Sequence, residues 1–525
     1  MIRDGKVWLA NTKEGEPVYV LPKMANRHGL IAGATGTGKT ITLKVMAETF
    51  SDMGVPVFLA DVKGDIAGMI NPGKDSEDMQ KRIEKFGLAA QGFEYHKYPV
   101  TLWDVFGKNG IQIRTTITEM GPLLLSRILD LNENQSSILS IIFKIADESN
   151  LALIDTKDLK AMLNYVADNN KEFEADYGTL NKQSIGVIQR AVVALEMAGG
   201  DQFFGEPAID IRDWFTVGEQ GRGMIHILDS QSLINNGTLY STFLLWMLSE
   251  LFETMPEVGD LDKPKMVFFF DEAHLLFKDT PKPLLDKIEQ VVKLIRSKGI
   301  GVYFVTQNPR DIPDGVLAQL GNKVQHALHA YTPSDQKAVK AAADSFRENP
   351  AFKTADVIEA LGTGEAVVSF LQEDGTPAVV EQVDILPPQS QMGGISDSER
   401  DAAIKASLLY SKYANGYDAE SAFELLARMG VEKAEAEAKA KADAEAAKAA
   451  AKEQAAAEKA AAKEAEKEAN RRKRAAKSVG TTVAGTVGRE VGKKVGKQLG
   501  GKFGQTLGGN TGAQLLRGLL NTLIK

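Results

Sequence analysis

The eight residues GATGTGKT, Gly33 to Thr40, constrain this chain more than any other stretch. They follow a short apolar run, GLIA (29–32), and lead into KTITLKVMAETFSDMG, which reads as a helix. Gly33 and Gly38 allow a tight turn, so the amides of Ala34, Thr35, Gly36, Thr37 and Gly38 line a loop at a helix start, where they point at phosphate oxygens. Lys39 then neutralises β/γ oxygens and the Thr40 hydroxyl coordinates Mg²⁺. All four fixed positions of a P-loop are present in the strand, loop and helix order that the motif needs.

A P-loop needs a parallel sheet around it, and residues 1–390 supply the pattern for one. Apolar strands at 29–32, 56–61, 224–229, 266–271 and 301–307 alternate with amphipathic helices. Between about 111 and 215 the strands stop and helical periodicity takes over, as in SSILSIIFKIADE, which marks an α-helical insertion. EAVVSFL and PAVVEQV around EDGT predict a hairpin. The expected fold is therefore α/β, a mostly parallel sheet flanked by helices.

The second half of such a site is an acidic residue ending a buried strand. MVFFFDE delivers it, with Asp271 placed to hold Mg²⁺ and Glu272 to polarise the attacking water as general base. A carboxylate pair favours NTP hydrolysis coupled to work. One helix later, GVYFVTQ ends on Gln307, a candidate γ-phosphate sensor, and ADVKGD brings Asp61, Lys63 and Asp65 to the same sheet edge. The six histidines are scattered and cysteine is absent, so neither a histidine metal set nor a thiolate site is expected.

The letters Asp271, Glu272, Ala273 and His274 spell the name of the DEAH-box helicases, but 232 residues separate Lys39 from Asp271, far more than in that class. The segments IAGATGTGKT, LADVKGDIAGM, FFFDEAHLLF, VTQNPRDIPDGVLAQLGNKVQHAL and GTGEAVVS instead resemble the HerA/FtsK superfamily of P-loop ATPases, most closely the bacterial YjgR-like proteins with a HerA-type helicase C-terminal domain. The likeness spans about residues 20–385. It implies a RecA-like core, ATP and Mg²⁺ as ligands, and a ring oligomer, often hexameric. It places Lys39, Thr40, Asp271, Glu272 and Gln307 at the matching Walker and sensor positions. It also implies an arginine supplied by the neighbouring subunit, for which Arg296 is the first choice, ahead of Arg310 and Arg190. HerA proteins carry a β-barrel ahead of the ATPase, and the roughly 28 residues before the first expected strand are too few for one.

Beyond Pro387 the composition changes. Residues 391–431 read as a linker with a short helix, and 432–474 as a charged Ala-rich helix without the apolar seam of a coiled coil, hence a solvated spacer. In 475–525 a small residue recurs every fourth position from Gly480 to Gly512, a repeat that lets helices approach closely or, with its lysines, lie on an anionic membrane surface. The net charge of −8 divides into +11 for residues 471–525 and −19 for residues 1–470. No apolar run reaches the roughly 18–20 residues of a membrane span, so the expected location is cytoplasmic, with peripheral contact at the inner membrane face through the tail. Two readings follow: a ring-forming motor moving double-stranded DNA, with Lys63 or Lys323 as pore contacts, or an ATPase acting on proteins or at a membrane, with the tail as oligomerisation or lipid anchor. The acidic body argues against an extended DNA surface.

Overall fold

The computed structural model describes residues 1–278, 280 and 282–476. Apart from residues 475–476, the expected glycine-repeat tail lies outside them.

Among the described residues, thirteen strands build one sheet. They are β1 (Ile2–Arg3), β2 (Lys6–Thr12), β3 (Pro17–Val20), β4 (Gly29–Ala32), β5 (Val57–Asp61), β6 (Val100–Asp104), β7 (Ile111–Gln112), β8 (Ile225–Asp229), β9 (Met266–Phe270), β10 (Ile300–Thr306), β11 (Asn322–Gln325), β12 (Glu365–Ser369) and β13 (Glu381–Ile385). Their order is β1-β2-β13-β12-β11-β4-β10-β9-β5-β8-β6-β7, with β3 on β2. The eight strands from β11 to β7 run parallel, and the remainder pair antiparallel.

The central strands are apolar throughout because both sheet faces are covered. Phe58, Phe268, Phe270 and Phe304 enter the core shared with the helical insertion. Their neighbours Leu59, Val267, Phe269 and Val305 enter the core on the opposite face, with Leu43, Met46 and Phe50 of the helix Lys39–Asp52. Strand alternation thus divides one apolar run between two cores.

The insertion is helical, as expected. Its main helices are Ile117–Ile128, Glu133–Glu148, Thr156–Asp168, Asn170–Tyr177 and Lys182–Met197. Thr116 with Glu119, Asn132 with Gln135, and Asp155 with Asp158 form capping boxes that fix where three of them begin. The expected hairpin is β12 and β13, paired antiparallel.

Three features depart from the sequence reading. β1 to β3 fold within residues 2–20, where no strand was expected, and β2 pairs with β13. β6 and β7 extend the parallel sheet just ahead of the insertion. The third departure corrects the boundary at 390 and the linker at 391–431, because the first compact unit runs from Met1 to Gly430. Its final forty residues are tied down by polar contacts: Arg400 lies 3.5 Å from Asp229, Lys412 lies 2.6 Å from Asp213, and Ser421 donates to Asp158. Residues that read as a linker thus pair with acids of the body, of which Asp158 and Asp229 are buried. The second unit starts at Val431. A helix spans Ala422–Ala476, and its described side chains from Val431 onward are exposed, as a solvated spacer requires.

Candidate nucleotide site

Because the strands from β11 to β7 are parallel, their carboxyl ends share one edge, and β5, β6, β8 and β9 each bring an aspartate to it. In register across the sheet stand Asp61, Asp229 and Asp104. Asp61 accepts the amides of Lys63, Gly64, Asp65 and Ile66, and Asp104 those of Phe106, Lys108 and Asn109. These two carboxylates close their own turns. Asp61 is nonetheless pushed up to about 6, chiefly by burial.

Asp271 differs. It accepts one backbone amide, that of Glu272, at 2.9 Å, while Tyr240 donates its hydroxyl to the Asp271 carbonyl at 2.7 Å. Burial, reinforced by Glu272, pushes Asp271 up to about 6, and Lys63 and Lys39 oppose the shift. Glu272 has φ +47°, a left-handed conformation rare outside glycine. Leaving the strand this way breaks its side-to-side alternation, so consecutive carboxylates both serve the same edge.

Glu272 is gripped from two sides. His274 Nδ1 lies 3.3 Å from its Oε2, and Gln307 Nε2 donates to the carboxylate at 3.3 Å. The His274 hydrogen bond is the first cause holding Glu272 below the ordinary carboxylate range, and Glu272 in turn raises His274. A charged Glu272 is the form these contacts favour.

The loop between β4 and the helix Lys39–Asp52 turns on Gly33, Gly36 and Gly38, each at positive φ. Lys39 Nζ donates to the carbonyls of Gly33 at 2.6 Å and Ala34 at 2.9 Å, and burial lowers its pKa, with Lys63 adding to the effect. Gly38 caps the helix at φ +115°. Behind the loop, His326 places Nε2 2.8 Å from Thr42 Oγ1 and Nδ1 2.8 Å from the Glu365 carbonyl. A Cβ on Gly33 would lie 2.5 Å from His326 Cβ, so glycine is the residue this backing admits.

A cleft of about 320 Å³ opens at the loop, lined by Gly36, Gly38, Lys39, Thr40, Lys63 and Asp65, and closed by Thr363, Met392 and Gly393. The late segment is held by the P-loop helix itself: Glu48 accepts the amides of Gln389 and Ser390, and Lys44 donates to the Gln391 carbonyl at 2.6 Å. Sequence reasoning missed His326 as a backing residue and Met392 as a wall. GTGEAVVS carried a signal for Thr363, but nothing in the sequence pointed to Met392.

Lys39, Asp271, Glu272, Gln307 and Lys63 therefore gather at one edge, with Thr40 in the cleft. Arg296 does not join them. It precedes β10, at the opposite end of the strands, 3.7 Å from Asp260. Arg310 follows Gln307 in an exposed turn, and Arg190 sits exposed on the insertion helix Lys182–Met197. Among the described residues no group of three or more His, Asp or Glu is arranged to hold a metal ion alone. The hard oxygens of Thr40 and Asp271 suit Mg²⁺, which takes few protein ligands and completes its shell with phosphate and water. No described helix is long and apolar enough to cross a membrane.

The family model described as "Helicase HerA-like C-terminal" matches residues 6–511. The DNA double-strand break repair helicase HerA of Sulfolobus acidocaldarius is 22% identical over 370 residues, which cover 70% of this chain and 66% of that protein. The protein of the same description from Sulfurisphaera tokodaii is 24% identical over 354 residues, 65% of this chain and 62% of that one. The chain thus spans under two thirds of either relative's length. Among solved structures, VirB4 of Thermoanaerobacter pseudethanolicus is similar at 16% identity over 73% of this chain and 97% of that one, with a TM-score of 0.49.

Proposed function

Since the chain belongs to the Helicase HerA-like C-terminal family, we propose that it is an ATP-hydrolysing motor that forms a homo-oligomeric ring, hexameric in subunit number, and moves double-stranded DNA. The observation that carries the reading is the gathering of Lys39, Asp271, Glu272 and Gln307 at the carboxyl edge of one parallel sheet.

In this reading the P-loop amides and Lys39 bind the phosphate chain of ATP. The Thr40 hydroxyl and the Asp271 carboxylate would hold Mg²⁺, which when bound supplies charge neutralisation to the β and γ oxygens. Glu272, kept ionised by His274, accepts the proton of the attacking water. Gln307, already bonded to Glu272, orients that carboxylate and reports the γ-phosphate to the turn Pro309–Asp311. Lys63 adds positive charge beside Lys39 and both carboxylates. Arg296 is proposed to complete the site of a neighbouring subunit.

We further propose a cytoplasmic location, with the basic tail as a peripheral contact for the inner membrane face. The deciding measurement is ATP turnover with and without double-stranded DNA. Stimulation by DNA that is lost in Glu272→Gln supports the motor. No response to DNA, together with liposome binding abolished by deleting 475–525, replaces it with an ATPase acting on proteins or at a membrane.

A further inference from the structure

A second cleft is lined in part by Leu275 and Lys278, just after the turn that carries Asp271 and Glu272. Its volume is about 300 Å³, and its wall combines Ser126 and Arg127 of the insertion with Thr238 and Lys278. Ser126 is 7% exposed, and its hydroxyl is buried without a hydrogen-bond partner. One terminal guanidinium nitrogen of Arg127 is likewise buried and unpartnered. The other guanidinium arm donates to the Leu276 carbonyl at 3.5 Å. Burial alone pushes Arg127 down to about 10. Native structures rarely leave buried donors unmatched, and two at one cleft wall are unusual.

The charges around the cleft favour an anion. Arg127 and Lys278 share the wall with Asp130, its one acidic member among the described residues. Gly237 and Thr238 also line it, and they begin the eighteen-residue helix Gly237–Thr254, so the positive end of that helix is part of the wall. A planar guanidinium, an ammonium, hydroxyls and helix-start amides together make the donor set that holds a phosphate group.

We propose that this cleft is a binding site for a phosphate group, distinct from the P-loop, held by Arg127, Lys278, Ser126 and the start of the helix Gly237–Thr254. The site does not depend on the motor reading. It is coupled to the catalytic loop by contacts on both sides. Tyr240 bonds the Asp271 carbonyl while Ser241, the next residue, lines the cleft, and Leu275 lines it while Arg127 bonds Leu276. The group has two sources with the same chemistry, a free phosphate ion or a backbone phosphate of DNA.

The test uses the full-length chain carrying Lys39→Ala, which removes the P-loop as a phosphate binder, and inorganic phosphate as the probe. A saturable rise in thermal midpoint with phosphate is expected. Adding Arg127→Met weakens it roughly ten- to a hundredfold, as loss of a charge-assisted hydrogen bond does. Lys278→Ala and Ser126→Ala weaken it less, and they carry the test where Arg127→Met fails to fold. Competition by a short DNA duplex assigns the site to the nucleic-acid backbone. Phosphate binding without competition assigns it to the free ion. No saturable response in Lys39→Ala, or one that all three added substitutions leave unchanged, overturns the proposal.

Discussion

Gln307 donates its amide to the carboxylate of Glu272 at 3.3 Å, so the end of β10 grips the residue that follows β9. The expected γ-phosphate sensor is thus in contact with the proposed general base. Glu272→Gln should retain ATP binding and lose about 10²- to 10⁴-fold in turnover, the usual worth of a general base. Gln307→Ala should lower kcat by roughly tenfold or more through a misplaced Glu272, with ATP affinity little changed. Steady-state turnover beside nucleotide titrations separates the two terms. A Gln307→Ala variant that weakens only binding would contradict this role.

Gly33→Ala should damage both fold and site. The new Cβ meets His326 Cβ at 2.5 Å, and φ at Gly33 is +154°. A stability loss of about 1–3 kcal/mol is expected for such overpacking, with nucleotide affinity falling as the loop shifts. Gly36→Ala is the control, since a Cβ there meets nothing within 4 Å although its φ of +80° carries strain. Urea unfolding and nucleotide titration of both variants provide the comparison.

His28, His226 and His326 are buried and held near 4, 3 and 4, each mainly by desolvation, against an ordinary value of 6.5. A depressed histidine stays neutral in the folded chain while the unfolded chain takes up a proton. Its contribution is therefore intact above pH 6.5 and shrinks as pH falls towards 4, by roughly 2 kcal/mol at pH 5 for each group. Asp61 and Asp271, raised to about 6, act in the opposite sense. The readout is thus a difference: His326→Gln should lose less stability than the parent between pH 7.5 and pH 5, measured by urea unfolding. Equal losses would mean that His326 is charged in the folded state.

Arg296→Ala should leave nucleotide binding intact and suppress turnover, because the side chain stands at the end of the sheet opposite its own P-loop. Mixing Arg296→Ala with Glu272→Gln should restore activity, since some interfaces then combine an intact arginine with an intact glutamate. Recovery absent here but present with Arg310→Ala would transfer the role to Arg310.

The parts of the fold written in continuous apolar runs were legible in sequence. β4, β5, β8, β9 and β10 are buried on both faces, and that is why they read as strands. β2 and β6 are nearly as buried, but KVWLANT and VTLWD mix polar with apolar residues, so neither reads as a continuous apolar run. In the site, Lys39, Asp271 and Glu272 follow local rules of spacing. His326 and Met392 owe their positions to chain returning from far along the sequence, which no local pattern records. Gln391 read as linker because a polar residue gives no sign that its carbonyl completes a buried amine.

The clasp between Glu48, Lys44 and residues 389–391 also bears on the order in which the protein is made. The P-loop leaves the ribosome well before residues 389–391, and its helix carries a buried acid and a buried amine whose partners are translated some 340 residues later. Domains tend to form as their chain emerges. Here the emerging chain has its phosphate loop long before the segment that closes the cleft beside it, so the cleft itself is complete only once residues 389–393 have been synthesised.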